Sequence, residues 1–229
     1  MTKKTPRPKD WFYLIMRALT NVLAVYAFFQ ATVYGSTATA NVLNMTYPIF
    51  LAIFAFVIER HRRDYAGYLL SFLAFIGILL VIGPKGLSFG PDASWGLASG
   101  MIAAVAIYFL KLARVNNDVD TVLLFYFLLG TLAVYLAFGS EIGIPTRPES
   151  GYLFLCALSG IVGQVLLTLG FRYVSPVEGG ILGSSRMIMA AFLGPLLVGD
   201  PSLTIAAWFG VVLLFFCNVF VTRRKLFVI

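Results

Sequence analysis

Arg186 lies near the middle of an apolar run, 177–198, long enough to cross a lipid bilayer as a helix. A charge at that depth costs roughly 2.5–3.5 kcal/mol on insertion scales, so the guanidinium needs water, a ligand or a hydrogen-bonding partner. No Asp or Glu stands at comparable depth in any run: Glu178 opens the same one, and Glu59 and Asp200 lie at run ends. Two readings follow. Arg186 meets an anionic group on a bound molecule, most simply a carboxylate, or it is a structural arginine held by carbonyls and polar side chains or by a counter-ion from further helices. A second run, 37–58, carries Thr37, Asn41, Asn44, Thr46, Tyr47 and Pro48. Asn41 and Asn44 are three apart and share a helical face. Pro48 has no N–H, so the Asn44 carbonyl loses its helical bond and becomes an acceptor at mid-depth. Such groups line a polar cavity or glue helices together. Gln164, in the middle of 151–173, has the same two uses.

The candidate binding set is therefore Arg186, Tyr47, Asn44, Asn41, Gln164 and Ser185. Ser185 closes a group of small residues, Gly179, Gly180, Gly183 and Ser184, which first of all suit close helix packing. Gly96 and Gly100 form another such pair. Chemistry of other kinds lacks its residues. Acid–base catalysis needs paired groups at one depth, and none occurs. His61 is the only histidine, and Cys156 and Cys217 lie far apart inside apolar runs, where they read as small hydrophobes. We expect no catalytic residue, no metal and no cofactor.

The elements that must hold these residues follow from composition. Of 229 residues, 60% are hydrophobic and 12% charged, about half the charge of a soluble domain. Only a chain surrounded by lipid can leave so much apolar surface uncovered. The expected fold is an all-α polytopic transmembrane bundle of about eight spans: 11–34, 37–58, 66–83, 94–113, 119–138, 151–173, 177–198 and 204–222. Turns such as Gly35-Ser36 and Ser175-Pro176 are short enough to force antiparallel neighbours, and Gly-Pro-Lys-Gly at 83–86 and Ile-Pro-Thr-Arg-Pro at 144–148 punctuate others. With the N-terminus inside, 14 of the 17 cationic residues fall on the inner side, Lys85 and Arg147 outside, and Arg186 within a span. That asymmetry places both termini in the cytoplasm. The net charge of +7 flanks spans, where it meets lipid headgroups, and calls for no nucleic acid.

The chain also repeats. At an offset of 139, Tyr34 falls on Tyr173, Ser36 on Ser175, Leu43 on Leu182 and Tyr47 on Arg186. An acidic residue, Glu59 or Asp200, closes each copy. The copies run in opposite directions through the membrane, as in transporters built from inverted repeats.

The stretches NVLNMTYPIFLAIFAFVIER, GIVGQVLLTLGFRYVSP and AAWFGVVLLFFCNVFVTRRK resemble the EamA-like branch of the drug/metabolite transporter superfamily. The resemblance runs from residue 11 to 225. It implies two inverted five-helix repeats around a cavity for small polar metabolites. The first span here resembles the family's third, so two helices of the pattern are missing. Ile58-Glu59 also stands where Gly-Glu is common, while the second copy has Gly199-Asp200. The implied organisation is a basic tail 1–10, an incomplete first repeat 11–83, a second repeat 94–222 and a tail 223–229. The implied function is a secondary transporter of the bacterial cytoplasmic membrane. It would move a small polar or zwitterionic metabolite with an anionic group, of amino acid or adenosyl/nucleoside type, by alternating access. A truncated scaffold or accessory subunit is the alternative, and an intramembrane enzyme the weakest one. A homodimer is left open.

Overall fold

The computed structural model describes residues 8–34, 37–58, 64–82, 91–141, 143–193, 196 and 204–226. The Gly35-Ser36 turn, Glu59, the cations Arg60, Arg62 and Arg63, the 83–86 punctuation and the Gly199-Asp200 pair lie outside them. The described residues form helices α1 (Trp11–Tyr34), α2 (Thr37–Asn44), α3 (Tyr47–Ile58), α4 (Tyr65–Ile82) and α5 (Pro91–Asn116). They continue with α6 (Val119–Phe138), α7 (Arg147–Gly170), α8 (Pro176–Gly183), α9 (Ser185–Leu193) and α10 (Ile205–Leu226). No strand occurs among them. Helices α1, α5, α6, α7 and α10 are each long and apolar enough to cross a membrane, and α3 and α4 are shorter apolar helices. The expected runs at 11–34 and 119–138 coincide with α1 and α6. The runs 37–58 and 177–198 do not form single helices: each is broken in the middle.

The two breaks fall at equivalent places, since Met45 plus the offset of 139 is Ser184. In the first, Thr46 donates its hydroxyl to the Leu43 carbonyl at 2.6 Å. In the second, Ser184 donates to the Ile181 carbonyl at 2.6 Å. Each hydroxyl takes a carbonyl that a continuous helix would bond through its backbone, which is how side chains end helices from within. Pro48 announces the first break, because it cannot supply the N–H that Asn44 needs. The second has no proline and rests on Gly183 and the Ser184 hydroxyl.

The chain packs as two compact units, each built from two separate stretches of sequence: 1–22 with 106–174, and 23–105 with 175–229. The first unit has a core of Leu14, Leu110, Ala113, Val122 and Phe171. There the cations of α5 cap α7: Arg114 donates from Nε to the Thr168 carbonyl at 3.1 Å, and Lys111 from Nζ to the Phe171 carbonyl at 3.2 Å. Carbonyls at a helix C-terminus have no partner of their own and carry its negative end, so cations belong there. The start of α7 is closed by a capping box, Thr146 with Glu149.

The second unit is built on close backbone approach. A Cβ on Gly210 of α10 would stand 2.5 Å from the Gly77 carbonyl oxygen of α4. A Cβ on Gly96 of α5 would stand 2.6 Å from Leu43 Cβ, and one on Gly100 would come within 2.7 Å of the Leu43 carbonyl. A Cβ on Gly180 would lie 2.9 Å from Leu51. The small-residue pairs read from the sequence therefore sit where helices touch. In lipid, close packing of this kind replaces the hydrophobic drive that water supplies.

Candidate functional site

The break between α2 and α3 and the break between α8 and α9 meet in the second unit, and Arg186 stands at the meeting point. It occupies the first turn of α9 and is exposed. Its Nη2 donates to Asn44 Oδ1 at 3.1 Å, and its Nε donates to Met45 Sδ at 3.1 Å. The guanidinium carbon lies 5.6 Å from the centroid of the Tyr47 ring, within cation–π range. Tyr47 and Arg186, equivalent by the repeat, are thus in contact. Every partner of the guanidinium in this group is neutral.

Those partners are themselves held. Accepting from Arg186 fixes the Asn44 amide, whose Nδ2 donates to Ser99 Oγ at 2.7 Å. Ser99, fully buried on α5, donates its hydroxyl to the Ala24 carbonyl at 3.0 Å. The direction of each bond is set by the one before, and the series ends on a backbone acceptor of α1. Tyr47 is buried and donates its hydroxyl to the Gly180 carbonyl at 3.3 Å. A side chain on Gly183 would collide with that hydroxyl. The glycine is needed there as a notch.

Arg186 shares its place with the positive end of the α9 dipole, where the Met187 N–H bonds the Ser184 carbonyl at 2.9 Å. First-turn N–H groups of a helix lack intrahelical acceptors and carry the positive end of its dipole. Arg186 adds a full positive charge at the same end, an arrangement unfavourable by about 0.3–1 kcal/mol unless a negative group answers both.

The other sequence candidates lie elsewhere. Asn41, one turn before Asn44, is exposed on α2. Ser185, a single residue and so about a quarter turn from Arg186, lines a groove between α9 and α10 with Asn218 and Thr222. Gln164 belongs to the first unit, where its Oε1 accepts from Arg17 Nη2 at 3.3 Å. Arg17 is the residue that sequence reasoning missed. Counted with the inner-flank cations, it is buried in α1 at 3% exposure. It also donates to Asn21 Oδ1 at 3.2 Å and lies 5.1 Å from the Tyr126 ring centroid. Asn21 completes the group by donating to the Tyr126 hydroxyl at 2.9 Å. The signal was available: Arg17 and Asn21 are four apart on one helical face, and Gln164 is as far from the end of its helix as Arg17 is from the start of its own.

Broken helices, glycine-mediated contacts and two arginines, one buried and one exposed, among neutral partners define an integral membrane protein of the polytopic helical transporter fold. A solved crystal structure shares that fold at a TM-score of 0.74, covering 95% of this chain and 78% of the other at 16% identity. The chain belongs to the EamA-like transporter family, whose model matches residues 1–83 and 92–223. Among its relatives is the pseudopaline exporter CntI of Pseudomonas aeruginosa, 25% identical over 71% of this chain and 58% of that protein. An uncharacterized transporter of Archaeoglobus fulgidus is 26% identical over 70% of this chain and 59% of its own length. The human solute carrier family 35 member G1 is 25% identical over 78% and 53%, respectively. The chain therefore spans less than two thirds of the length of these curated relatives.

Proposed function

We propose that the protein is a secondary transporter for a small polar or zwitterionic metabolite carrying an anionic group, with Arg186 as the anchor for that group. The observation that carries this reading is an exposed guanidinium at the junction of two broken helices, bonded to neutral groups among the described residues. In this reading Asn44 and the Tyr47 ring position the guanidinium, and Asn41 is near enough along α2 to contact a larger ligand. Gln164 and Ser185 take secondary roles, because each is engaged in a different setting. The inverted repeats, 11–83 and 94–222, would alternate access by rocking about the site. An amino acid or an adenosyl or nucleoside-type compound fits the mix of one cation, one amide and one aromatic ring. The charge distribution supports the bacterial cytoplasmic membrane with both termini inside.

The test is uptake into proteoliposomes containing the purified chain. An arginine–carboxylate hydrogen bond is worth roughly 1.5–3 kcal/mol, so Arg186→Gln should lower kcat/KM about 10- to 100-fold with unchanged melting behaviour. If Arg186→Gln left the uptake of every accepted anion unchanged, the anchor assignment would be wrong. One observation favours a second reading, an accessory subunit or scaffold. Residues 143–163, the greater part of α7 included, are exposed on every face, with open space beside Gly160 and Gly163. Transport by the purified chain alone would dismiss it.

A further inference from the structure

We propose that the groove between α9 and α10 is a binding site for one anionic phospholipid. The groove has a volume of about 520 Å³ and two chemically distinct ends. Met189 of α9 with Phe215 and Val219 of α10 forms an apolar wall. Asn218, Thr222 and Arg223 stand at the other end. On α10 the residues 215, 219, 222 and 223 follow helical spacing, so the apolar part and the cationic part form one continuous stripe. From Phe215 to Arg223 the stripe runs about 12 Å along the axis at 1.5 Å per residue. That length joins the hydrocarbon to the headgroup level at the end of α10.

At the polar end the donors of Thr222 and Asn218 are used internally, so Arg223 is what answers a phosphodiester, and the remaining acceptors suit the hydroxyls of a glycerol headgroup. Thr222 turns its hydroxyl back to the Asn218 carbonyl at 2.9 Å, leaving the oxygen's lone pairs outward. Asn218 donates its amide to the Leu214 carbonyl at 2.8 Å and to Ser184 Oγ at 3.4 Å, which fixes it and leaves its Oδ1 as an acceptor. Arg223 is exposed and has no hydrogen-bond or ion-pair partner among the described residues. Arg224 and Lys225 follow it in the sequence. A groove for a neutral lipid needs no cation at its mouth, whereas a phosphodiester answers Arg223 directly. A free anion, conversely, has no use for the apolar wall. The combination of wall and cation selects an amphiphile with a negative head.

This inference is independent of the transport reading, because its readout is lipid retention. Native mass spectrometry of the full chain in detergent, titrated with phosphatidylglycerol or phosphatidylcholine, should show preferential retention of phosphatidylglycerol. Arg223→Gln, an exposed change, should weaken phosphatidylglycerol about fivefold. Val219→Trp should fill the apolar wall and abolish retention with Arg223 still present. Arg172→Gln, which removes an exposed cation elsewhere, should leave it unchanged. Equal retention of the two lipids, or full phosphatidylglycerol binding in Arg223→Gln, would overturn the proposal. So would an equal loss in Arg172→Gln, which means surface charge alone, or displacement by inorganic phosphate, which means a simple anion site.

Discussion

Gly183→Ala tests how Tyr47 is held against the binding junction. The added methyl would overlap the Tyr47 hydroxyl, which is buried and bonded to the Gly180 carbonyl at 3.3 Å. The ring must therefore move. Its lost hydrogen bond is worth about 0.5–1.5 kcal/mol net, and overpacking adds about 1–3 kcal/mol. Alanine in a helix returns roughly 1 kcal/mol relative to glycine. The balance is a destabilisation of about 0.5–3.5 kcal/mol. Tyr47→Phe alone should cost about 1 kcal/mol for the hydrogen bond. In the double variant the colliding oxygen is gone, and the nearest ring carbon lies 3.3 Å from the methyl position, a contact that a small adjustment relieves. The double variant should then be more stable than the sum of the singles by about 2–4 kcal/mol, the overpacking together with the hydrogen bond that both singles lose. Thermal unfolding of the purified proteins reads this as roughly 2–4 °C per kcal/mol for a chain of this length. Strict additivity, or a Gly183→Ala protein that melts with the parent, would falsify the claim that the glycine exists to seat Tyr47.

Two further outcomes follow from the packing. Gly210→Ala places a methyl 2.5 Å from the Gly77 carbonyl oxygen and 2.8 Å from the Val81 nitrogen, both backbone atoms that no rotamer change can move. We predict a loss of about 3 kcal/mol or more, seen as reduced yield of monodisperse protein; normal yield and melting would refute the close crossing of α4 and α10. Gln164→Leu removes one of the two amide acceptors of buried Arg17. A fall in stability of about 1–3 kcal/mol is expected, with the KM of accepted substrates unchanged; a raised KM at normal melting would instead give Gln164 to the substrate.

Much of this was readable in the residues, and the parts that were not share a cause. Hydropathy found the apolar segments because lipid imposes a length and polarity that few other environments demand. The repeat offset paired Tyr47 with Arg186, and the two do touch. Gly96, Gly100, Gly180 and Gly183 were recognisable as packing positions because small residues have that use between membrane helices. Arg17 was misjudged because it stands close to the start of α1, where a cation ordinarily reaches for headgroups, and only Asn21 and Gln164 turn it inward. The break at Ser184 was invisible for a different reason. A hydroxyl bonding its own helix uses the same residue types as an unbroken span, whereas Pro48 declares itself. Ser185 was grouped with Arg186 by adjacency, although one step around a helix sends its side chain into another groove.

The interrupted helices have a mechanical consequence. Bending an intact helix sacrifices backbone hydrogen bonds, each worth about 1 kcal/mol net and more in a medium without water. At Thr46 and Ser184 that loss has already been taken, and the hydroxyls have satisfied the carbonyls of Leu43 and Ile181. A tilt of α8 against α9 about Ser184 then puts few bonds at stake, chiefly the Ser184 N–H to the Ile181 carbonyl at 3.0 Å and the Met187 N–H to the Ser184 carbonyl at 2.9 Å. Arg186, two residues beyond the pivot, scarcely travels when the far end of α9 swings. In the proposed transporter, a hinge there would hold a group anchored on Arg186 nearly still while its surroundings turn.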